Sequence, residues 1–479
     1  MLVEEFIHML FRESLTSCQS FLFKQPLQAA CEVHADHDAI NFLAFMYPQA
    51  VKERDYKGDL IIHSVLGQGK QDIPRSTTIE LLLQLFPECL HELTADGTCP
   101  LGVAFRAKQS PKIIEHIVNM RIKQKITSFE IGEWEDYILD ARDVSRLSYE
   151  LFPKLFLTSL TCKPLAYSED GFLYLMEYLT HDSRIEELHL SYPPLNDPKE
   201  EALMKFMRLN SSIRELRLSR NESQWTLGNG VECLLEGLEL NNSLEKLIVD
   251  GMFLITSNQL GCLIALSPET LVLEGIMIEK NWTWNNSTHW GKSILRSLTM
   301  RNTKISGKCL DKLLGAMAKL YSLGDLTLDF SLPQDIHDAE FLNGRDITPQ
   351  IIVLLEKNRL RSLSIKGLHL DIMSLAQALR NNTSLRVLHI DSLWSELPTR
   401  VQCFVQVLEE ENRSLEDIKF HCLSELLDED EASEATYNDN VSTYRSANIW
   451  QLVEDPALTF YTDRNRCQRR EKLLKVPIG

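Results

Sequence analysis

The hexapeptide LRVLHI at residues 385–390 has aliphatic residues at its first, fourth and sixth positions, and this pattern returns along most of the chain. Further examples are LRSLSI (360–365), LRSLTM (295–300) and IRELRL (213–218). Alternate side chains of a β-strand point to opposite faces, so the fourth and sixth residues share one face and the fifth lies on the other. The pattern therefore predicts a series of short strands with one buried face.

The fourth residue of the pattern recurs about every 28 residues. Between the predicted strands lie segments such as LDKLLGAMAKL (310–320), whose apolar residues are three and four positions apart, as in an amphipathic helix. A single strand and helix cannot bury their apolar faces alone, so the units are expected to stack as a solenoid. The ten occurrences of the fourth residue are Leu160, Leu188, Leu216, Leu247, Leu271, Leu298, Leu326, Leu363, Leu388 and Ile418.

This region, residues 150–423, resembles leucine-rich repeat proteins of the ribonuclease-inhibitor-like subtype. The resemblance implies about ten repeats that form an α/β horseshoe with a parallel sheet on its concave side. The family has Asn or Cys three residues after the last aliphatic residue of the strand, and here only Asn221 matches that position. Apolar residues such as Ile276 and Leu368 stand there instead, so irregular turns are expected after the strands.

The first part of the chain contains a different, helical repeat. Tyr47-Pro48 and Phe86-Pro87 end two helical patterns that are 39 residues apart, and a turn glycine, Gly58 or Gly97, follows each. Three segments resemble the Pro-Leu-His-x-Ala motif of ankyrin repeats: PLQAA (26–30), IIHSV (61–65) and PLGVA (100–104). The resemblance implies an all-α ankyrin-like array over residues 1–125. An unrelated set of helical hairpins is the alternative.

Composition marks the remaining boundaries. Residues 126–149 show no repeat and are predicted to connect the two arrays, either as a rigid joint or as a hinge. Residues 424–440 contain seven acidic and no basic residues, which is typical of a solvated linker. Residues 441–479 end in a basic stretch and are predicted to cap the array, a nuclear import signal being the alternative. Tyr461 and Asn465-Arg466 resemble the ends of some algal leucine-rich repeat proteins.

The charge of the chain restricts its partners. The 479 residues include 50 basic and 68 acidic ones, which gives a net charge of −18. Such a surface repels nucleic acid and anionic membranes, so neither is an expected partner. The eleven cysteines are scattered singly, without C-x-x-C pairs, and are predicted to be buried reduced thiols. With neither a clean signal sequence nor a membrane span in the sequence, we expect a monomeric cytoplasmic protein or, alternatively, a nuclear one.

Catalytic motifs are missing from the sequence. GQGK at residues 67–70 lacks the first glycine of a phosphate-binding loop, and Gln71 follows where Ser or Thr is required. No G-x-S-x-G elbow, H-E-x-x-H helix or kinase catalytic loop is present. His34 and His37 lie among carboxylates, where a solvated loop is the more common explanation than a metal site. We therefore expect a non-catalytic protein without cofactor or metal.

The fifth residue of each strand pattern is expected on the concave side, where a partner would bind. Most residues at this position are polar, but Ile248 and Val272 place two aliphatic side chains on neighbouring strands, which predicts an apolar contact patch. Two roles are open for the basic side chains in this row. One is contact with an acidic partner, and the alternative is that they only keep the surface soluble. The whole row is Thr161, His189, Arg217, Ile248, Val272, Thr299, Thr327, Ser364, His389 and Lys419.

Three tryptophans lie close together in NWTWNNSTHW (281–290), at Trp282, Trp284 and Trp290. Tryptophan among polar neighbours is common in binding hot spots. The alternative is that these rings fill the space that a regular helix occupies in the other repeats.

These patterns predict a scaffold or adaptor that binds proteins through both arrays. The alternative is a regulator of a partner enzyme, such as an activator of a small GTPase or an enzyme inhibitor, because leucine-rich repeat proteins of this subtype include both. In that case Arg217, Arg296 or Arg386 would act in the partner's active site.

Overall fold

In a computed structural model of the chain, the residues described are 26–32, 35–55, 57–68, 74–124, 127–131, 144–162, 168–192, 197–220, 230–251, 254–278, 293–330, 346–368, 370–392, 402–423, 450–452 and 459–469 without 460 and 467. They belong to two compact units, Met1–Ile213 and Arg214–Gly479.

The first unit begins with three pairs of helices. They are α1 (Pro26–Glu32) and α2 (His37–Met46), α3 (Ile61–Gly67) and α4 (Pro74–Leu85), and α5 (Pro100–Arg106) and α6 (Pro111–Lys123). Proline begins four of these helices, at a position where its missing N–H costs no helical hydrogen bond. The first helices of the pairs pack on one another in one row, and the second helices pack in another row.

Two turns between the helix pairs have the same geometry. In the first, the Asp55 N–H donates to the Asp59 carbonyl at 2.8 Å and the Gly58 N–H to the Asp55 carbonyl at 2.9 Å. In the second, residues 94–98 repeat both bonds at 3.0 and 2.9 Å. Gly58 and Gly97 have φ of 88° and 84°, in the left-handed region that favours glycine. The glycine spacing in the sequence is thus a spacing of equivalent turns.

The sheet of the first unit starts earlier than the sequence predicts. Strand β1 (Ser128–Ile131) lies inside the predicted connector and pairs in parallel with β2 (Ser159–Cys162), which pairs with β3 (Glu187–Tyr192). Phe129 of β1 stands opposite Leu160, in the place of the strand leucine. The boundary predicted at residue 150 therefore cuts through a continuous sheet. Helices α7 (Glu169–His181) and α8 (Asp197–Leu209) follow β2 and β3.

Buried Arg121 joins the helices of the first unit to this sheet. Its guanidinium donates to the Ser128 carbonyl at 2.6 Å and to the Leu90 carbonyl at 3.3 Å, and it lies 5.4 Å from the centre of the Phe129 ring. The two carbonyls and the ring satisfy part of this buried cation, whose Nε has no hydrogen-bond partner among the described residues. Arg121 thus links α6, the last helix of the three pairs, to β1 at the start of the predicted connector.

The second unit contains eight parallel strands in its described part. They are β4 (Glu215–Arg220), β5 (Lys246–Asp250), β7 (Thr270–Glu274), β9 (Ser297–Arg301), β10 (Asp325–Asp329), β11 (Ser362–Lys366), β12 (Val387–Ser392) and β13 (Asp417–Leu423). The helices are α9 (Gly230–Leu240), α10 (Ser257–Leu266), α11 (Gly307–Met317), α12 (Thr348–Glu356), α13 (Ile372–Leu379) and α14 (Gln402–Glu410). Strands β6 (Leu254–Ile255) and β8 (Met277–Ile278) form a small second sheet.

The predicted strand residues form one row across this sheet. Leu247, Leu271 and Leu298 stand opposite one another on successive strands, and the row continues in register to Ile418. The leucines of the row are fully buried, whereas Ile418 in the last parallel strand is partly exposed. An α/β repeat solenoid with a parallel sheet, as the sequence period predicts, is the fold of this unit.

Buried asparagines hold the turns between helix and strand. The amide of Asn382 donates to the Leu355 carbonyl at 2.7 Å, and its side-chain oxygen accepts the N–H groups of Ser384 and Leu385. Asn412 repeats this arrangement one repeat later, and its amide also reaches the Asn382 carbonyl. Asn210 makes the same bonds in the first unit. Each such asparagine satisfies backbone groups that would otherwise be buried without partners.

Four of the turns that follow strands in the described residues share one geometry, contrary to the irregular turns expected from the missing asparagines. Gly251, Gly275, Asn302 and Gly367 each follow a strand with φ between 49° and 111°. The N–H of each donates to the carbonyl of a residue at the end of the next strand in the sheet. Buried Ile276 and Leu368 fill the position where the family has Asn or Cys. Backbone hydrogen bonds and apolar packing thus replace the amide ladder.

Replacing Gly275 with alanine is expected to lower the free energy of unfolding by about 1–2 kcal/mol. Its φ is 68°, where an alanine Cβ is strained, and that Cβ would lie 3.5 Å from the backbone of Gly251. The control is Gly315→Ala in α11, which has open space around it and should raise stability by about 0.5–1 kcal/mol. Urea unfolding followed by circular dichroism measures both. Equal effects of the two substitutions would contradict the argument.

A C-terminal segment contacts the last repeat. Strand β14 (Trp450–Leu452) pairs antiparallel with β13, and residues 461–466 are helical. The buried Asn465 amide donates to the Leu415 carbonyl at 2.8 Å and to the Asn412 carbonyl at 3.4 Å. Arg464 and Arg466 donate to the carbonyls of Leu408 and Glu416. Asn465 therefore places an amide on the last turn, as Asn412 does on the turn before it.

Free thiols are found at all seven cysteines whose side chains are described. Five are buried, and Cys233 and Cys262 are partly exposed. Burial raises the pKa of Cys31 and Cys89 to about 12, so these thiols stay protonated and unreactive at neutral pH. None of the helices in the described ranges has both the length and the hydropathy needed to span a bilayer.

Candidate protein-binding surface

One face of the second unit's sheet carries the fifth residue of each six-residue strand pattern, and this face is called the open face below. The fourth and sixth residues of the pattern are mostly buried, whereas most residues at its fifth position are at least partly exposed. Strand pairing aligns the outward residues in one row: Arg217, Ile248, Val272, Thr299, Thr327, Ser364, His389 and Lys419. The sequence predicted both the row and its order.

Ile248 is an exception to the predicted exposure. Only 9% of it is accessible, so it does not form half of an exposed apolar patch. Arg217 stands opposite Ile248 on the neighbouring strand, and its guanidinium forms an ion pair with Asp250, two residues beyond Ile248 on the same face. The side chain of Arg217 therefore extends past Ile248 towards Asp250 on the same face. The exposure of Ile248 depends on the long side chains of neighbouring strands, which the alternation of residues along a single strand does not describe.

Val272 remains half-buried on the open face, next to Thr299 and, one strand further, Thr327. Its neighbours on this side are short hydroxyl side chains, which leave the methyl groups of Val272 accessible. Of the two predicted aliphatic contacts, Val272 is the one that a partner can reach.

The basic residues of the row are paired within the protein. Arg217 pairs with Asp250, and Asp417 lies 3.3 Å from His389 and 3.8 Å from Lys419. These pairs are half exposed, where an ion pair contributes little to stability and can exchange partners. The predicted contact between these residues and an acidic partner would therefore compete with Asp250 and Asp417.

The other predicted site residues lie elsewhere. His189 is on β3 in the first unit, opposite Thr161 and partly exposed. Trp282, Trp284 and Trp290 fall outside the described residues, so their predicted role stays a prediction.

The three arginines that were candidates to act on a partner enzyme also have partners. Arg296 lies 3.3 Å from Glu269, Arg386 lies 3.5 Å from Glu416, and Arg217 pairs with Asp250. No sequence pattern singles out Arg361, which is exposed and whose side chain has no hydrogen bond or ion pair with any residue that the structure describes. Arg361 lies just before β11. Its lack of an ion-pair partner depends on which charges stand on the neighbouring strands, so the local sequence gives no sign of it.

No family model matches the chain, and no curated protein does. Among solved structures, a chain from the crystal structure of the Rad7 and Elc1 complex in yeast is similar, with 15% sequence identity and a TM-score of 0.31. The similarity covers 82% of this chain and 93% of that chain. A similarity at this level assigns neither family nor function.

Proposed function

We propose that the protein is a non-catalytic scaffold or adaptor that binds other proteins. The open face carries this proposal: eight strands at about 4.8 Å spacing give a row roughly 34 Å long. Ladder hydrogen bonds fix the backbone of that row, so little conformational entropy is lost when a partner binds. A fixed surface with short polar side chains and one accessible aliphatic residue suits recognition of a folded protein.

In this proposal the second unit is a leucine-rich repeat array of the ribonuclease-inhibitor-like subtype, and the helix pairs are ankyrin-like repeats. Buried His63, which stands at the histidine of the ankyrin motif, supports the second assignment. Its Nδ1 accepts the Leu60 N–H at 3.2 Å, and its Nε2 lies 3.2 Å from the Glu92 carbonyl in the next repeat. The histidine thus connects neighbouring units, as a repeat motif should.

His63 should make the stability of the first unit depend on pH. Burial lowers the pKa of His63, against the smaller opposing effect of Asp59. Because the unfolded chain binds the proton more readily, the contribution of neutral His63 is complete above about pH 6.5 and is lost as the pH falls through the lower folded pKa. The stability difference between wild type and His63→Ala should therefore shrink as the pH is lowered from about 7.5 to about 5.5. Urea titrations at both pH values measure this, and a constant difference would contradict it.

The enzyme-regulator alternative has less support. Arg217, Arg296 and Arg386 would each have to leave a carboxylate before acting on a partner. A GTPase assay with candidate partners tests this alternative directly, and an unchanged rate would count against it.

The test of the scaffold proposal is a paired set of variants. Thr299→Arg with Thr327→Arg places two long cations in the middle of the open face, on neighbouring strands. Val353→Arg with Met373→Arg places the same charges on exposed helix positions of the same unit. The full-length proteins are compared by affinity capture from lysate with cross-linking, after circular dichroism shows that both variants fold.

The scaffold proposal expects proteins captured by the wild type to be lost by more than about tenfold with the open-face variant and kept with the helix variant. Equal capture by both variants would move the binding surface elsewhere. If the wild type captures nothing specific, the scaffold proposal itself fails.

A further inference from the structure

A row of arginines lies at the amino-terminal ends of strands β9 to β12. Arg296, Gly324, Arg361 and Arg386 each immediately precede a strand. Backbone hydrogen bonds of 2.8, 2.6 and 2.8 Å join Gly324 to Arg296, Arg361 to Gly324 and Arg386 to Arg361. The four residues therefore stand on consecutive strands, about 4.8 Å apart.

The charges of this row are only partly balanced. Arg296 pairs with Glu269, and Arg386 pairs with Glu416, which also pairs with Arg469. Arg361 forms no ion pair with the described residues, and the nearby exposed Asp325 does not reach it. Arg361 and Arg386 are like charges on neighbouring strands, which lowers stability. In a chain with a net charge of −18, this row is a local excess of positive charge on the surface.

Exposed apolar side chains lie beside the arginines. Ile294 is 58% and Tyr321 73% accessible, and a 3.0 Å hydrogen bond from Ser322 to the Ser293 carbonyl brings their turns together. The Arg359 guanidinium lies 4.1 Å from the centre of the Tyr321 ring. Stacking of this kind holds both side chains in a defined position. Tyrosine and arginine are also the residue types enriched in protein interfaces.

Gly324 is the member of the row that has no side chain. A Cβ at this position would lie 3.8 Å from the Arg296 carbonyl oxygen and 3.8 Å from the Arg361 side chain. These are ordinary van der Waals distances, so Gly324 brings no side chain of its own to the row and Arg361 lies against its backbone.

We infer that this surface, called the arginine edge and formed by Ile294, Arg296, Tyr321, Arg359, Arg361 and Arg386, binds an acidic segment of a partner protein. The planar guanidinium of Arg361 accepts a carboxylate in two parallel hydrogen bonds. Arg296 and Arg386 hold further carboxylates by exchanging their present partners. An apolar residue of the segment packs on Ile294 and Tyr321. The inference rests on the proposed protein-binding function and adds a second surface and the chemistry of its partner.

An acidic peptide fits this surface better than a nucleic acid does. The row spans three strand intervals, about 14 Å, which matches roughly four residues of extended peptide. Arginines with adjacent apolar side chains suit alternating acidic and apolar residues. A long polyanion would extend beyond the row and meet the acidic surface of the rest of the chain.

The test measures fluorescence anisotropy of a labelled peptide of repeated Glu-Asp-Phe units with the full-length protein. Peptides of Gln-Asn-Phe and Lys-Arg-Phe units and a labelled single-stranded DNA serve as comparisons. The variants are Arg361→Gln, Tyr321→Ser and, as matched control, Arg301→Gln. Arg301 is likewise exposed and without a side-chain partner among the described residues, but it lies at the opposite end of β9.

We expect the acidic peptide alone to bind, with affinity about tenfold weaker for Arg361→Gln and Tyr321→Ser and unchanged for Arg301→Gln. Added salt should weaken binding to the wild type more than binding to Arg361→Gln. Absence of binding, equal binding of the neutral peptide, DNA binding that Arg361→Gln abolishes, or equal loss with Arg301→Gln would each overturn the inference. The open-face variant distinguishes the two proposals, because it should lose captured proteins and keep this peptide.

Discussion

Asn382→Ala is expected to lower the free energy of unfolding by about 2–4 kcal/mol, whereas Asn381→Ala should change it by less than about 0.5 kcal/mol. The two asparagines are neighbours in the sequence and lie in one turn. Asn382 is 3% accessible, whereas Asn381 is exposed. The pair therefore compares the same substitution at a buried and a solvated position of one turn.

The cost at Asn382 comes from the groups that lose their partner. The Leu355 carbonyl and the N–H groups of Ser384 and Leu385 all bond to its side chain, at 2.7, 3.1 and 2.8 Å. An alanine leaves these backbone groups without that partner in a place that water does not readily enter, so desolvation is not compensated. The loss also spreads to the next repeat, because the Asn412 amide donates to the Asn382 carbonyl.

Urea unfolding of the full-length proteins, followed by circular dichroism, gives the two midpoints. A repeat array can unfold in stages, so hydrogen exchange of β12 and β13 is measured as a local comparison. Similar midpoints for the two variants would show that the buried amide does not hold the turn.

How far the sequence predicts this fold depends on whether a feature is local or lies between strands. The ten strand residues from Leu160 to Ile418 were predicted because the pattern lies within six residues, although Pro268 replaces its first aliphatic residue at the Leu271 occurrence. Strand β1 was missed because Phe129 stands at the fourth position of the pattern, where an aliphatic residue is required. The first and sixth positions of that sequence pattern are aliphatic, at Ile126 and Ile131. An aromatic ring fills the same buried place as leucine, which a strict pattern does not allow.

Surface properties were predicted less well, because they depend on neighbouring strands. The burial of Ile248 accompanies the pairing of Arg217 with Asp250, which are 33 positions apart in the chain. The arginine edge appears only after the register brings Arg296, Arg361 and Arg386 onto one row. Loops of different length separate the repeats, so no fixed sequence spacing shows these neighbours.

The turn asparagines are an intermediate case. Asn210, Asn241 and Asn382 stand in short polar segments of the sequence just before strands, which is a local property. Their sequence does not show that the side chains point into the protein and that the amides of Asn210 and Asn382 bond to carbonyls of the preceding repeat. Burial of an asparagine depends on the packing of two consecutive turns, and only the structure supplies that packing.

Removal of residues 459–479 is expected to speed amide hydrogen exchange in β13 and α14 by about 10²–10³-fold, while β9 and β10 stay unchanged. The segment supplies donors to the carbonyls of Leu408, Leu415 and Glu416 at the end of the array. In the second unit, α14 and β13 contribute the buried pair Phe404 and Phe420, whose ring centres are 5.0 Å apart. Without the segment, this pair lies at an uncovered end, as in a repeat array that lacks its terminal cap.

Two point variants separate the buried amide from the surface charges of the segment. Asn465 is 1% accessible, so Asn465→Ala should cost about 1–3 kcal/mol locally, seen as faster exchange in β13. Arg469 makes an exposed ion pair with Glu416, so Arg469→Ala should have little effect. Equal protection of β13 with and without the segment would show that the last repeat is stable on its own. Protection that falls in β13 but not in β10 would instead show that residues beyond the repeats complete the array, since each turn needs a donor from the unit that follows it.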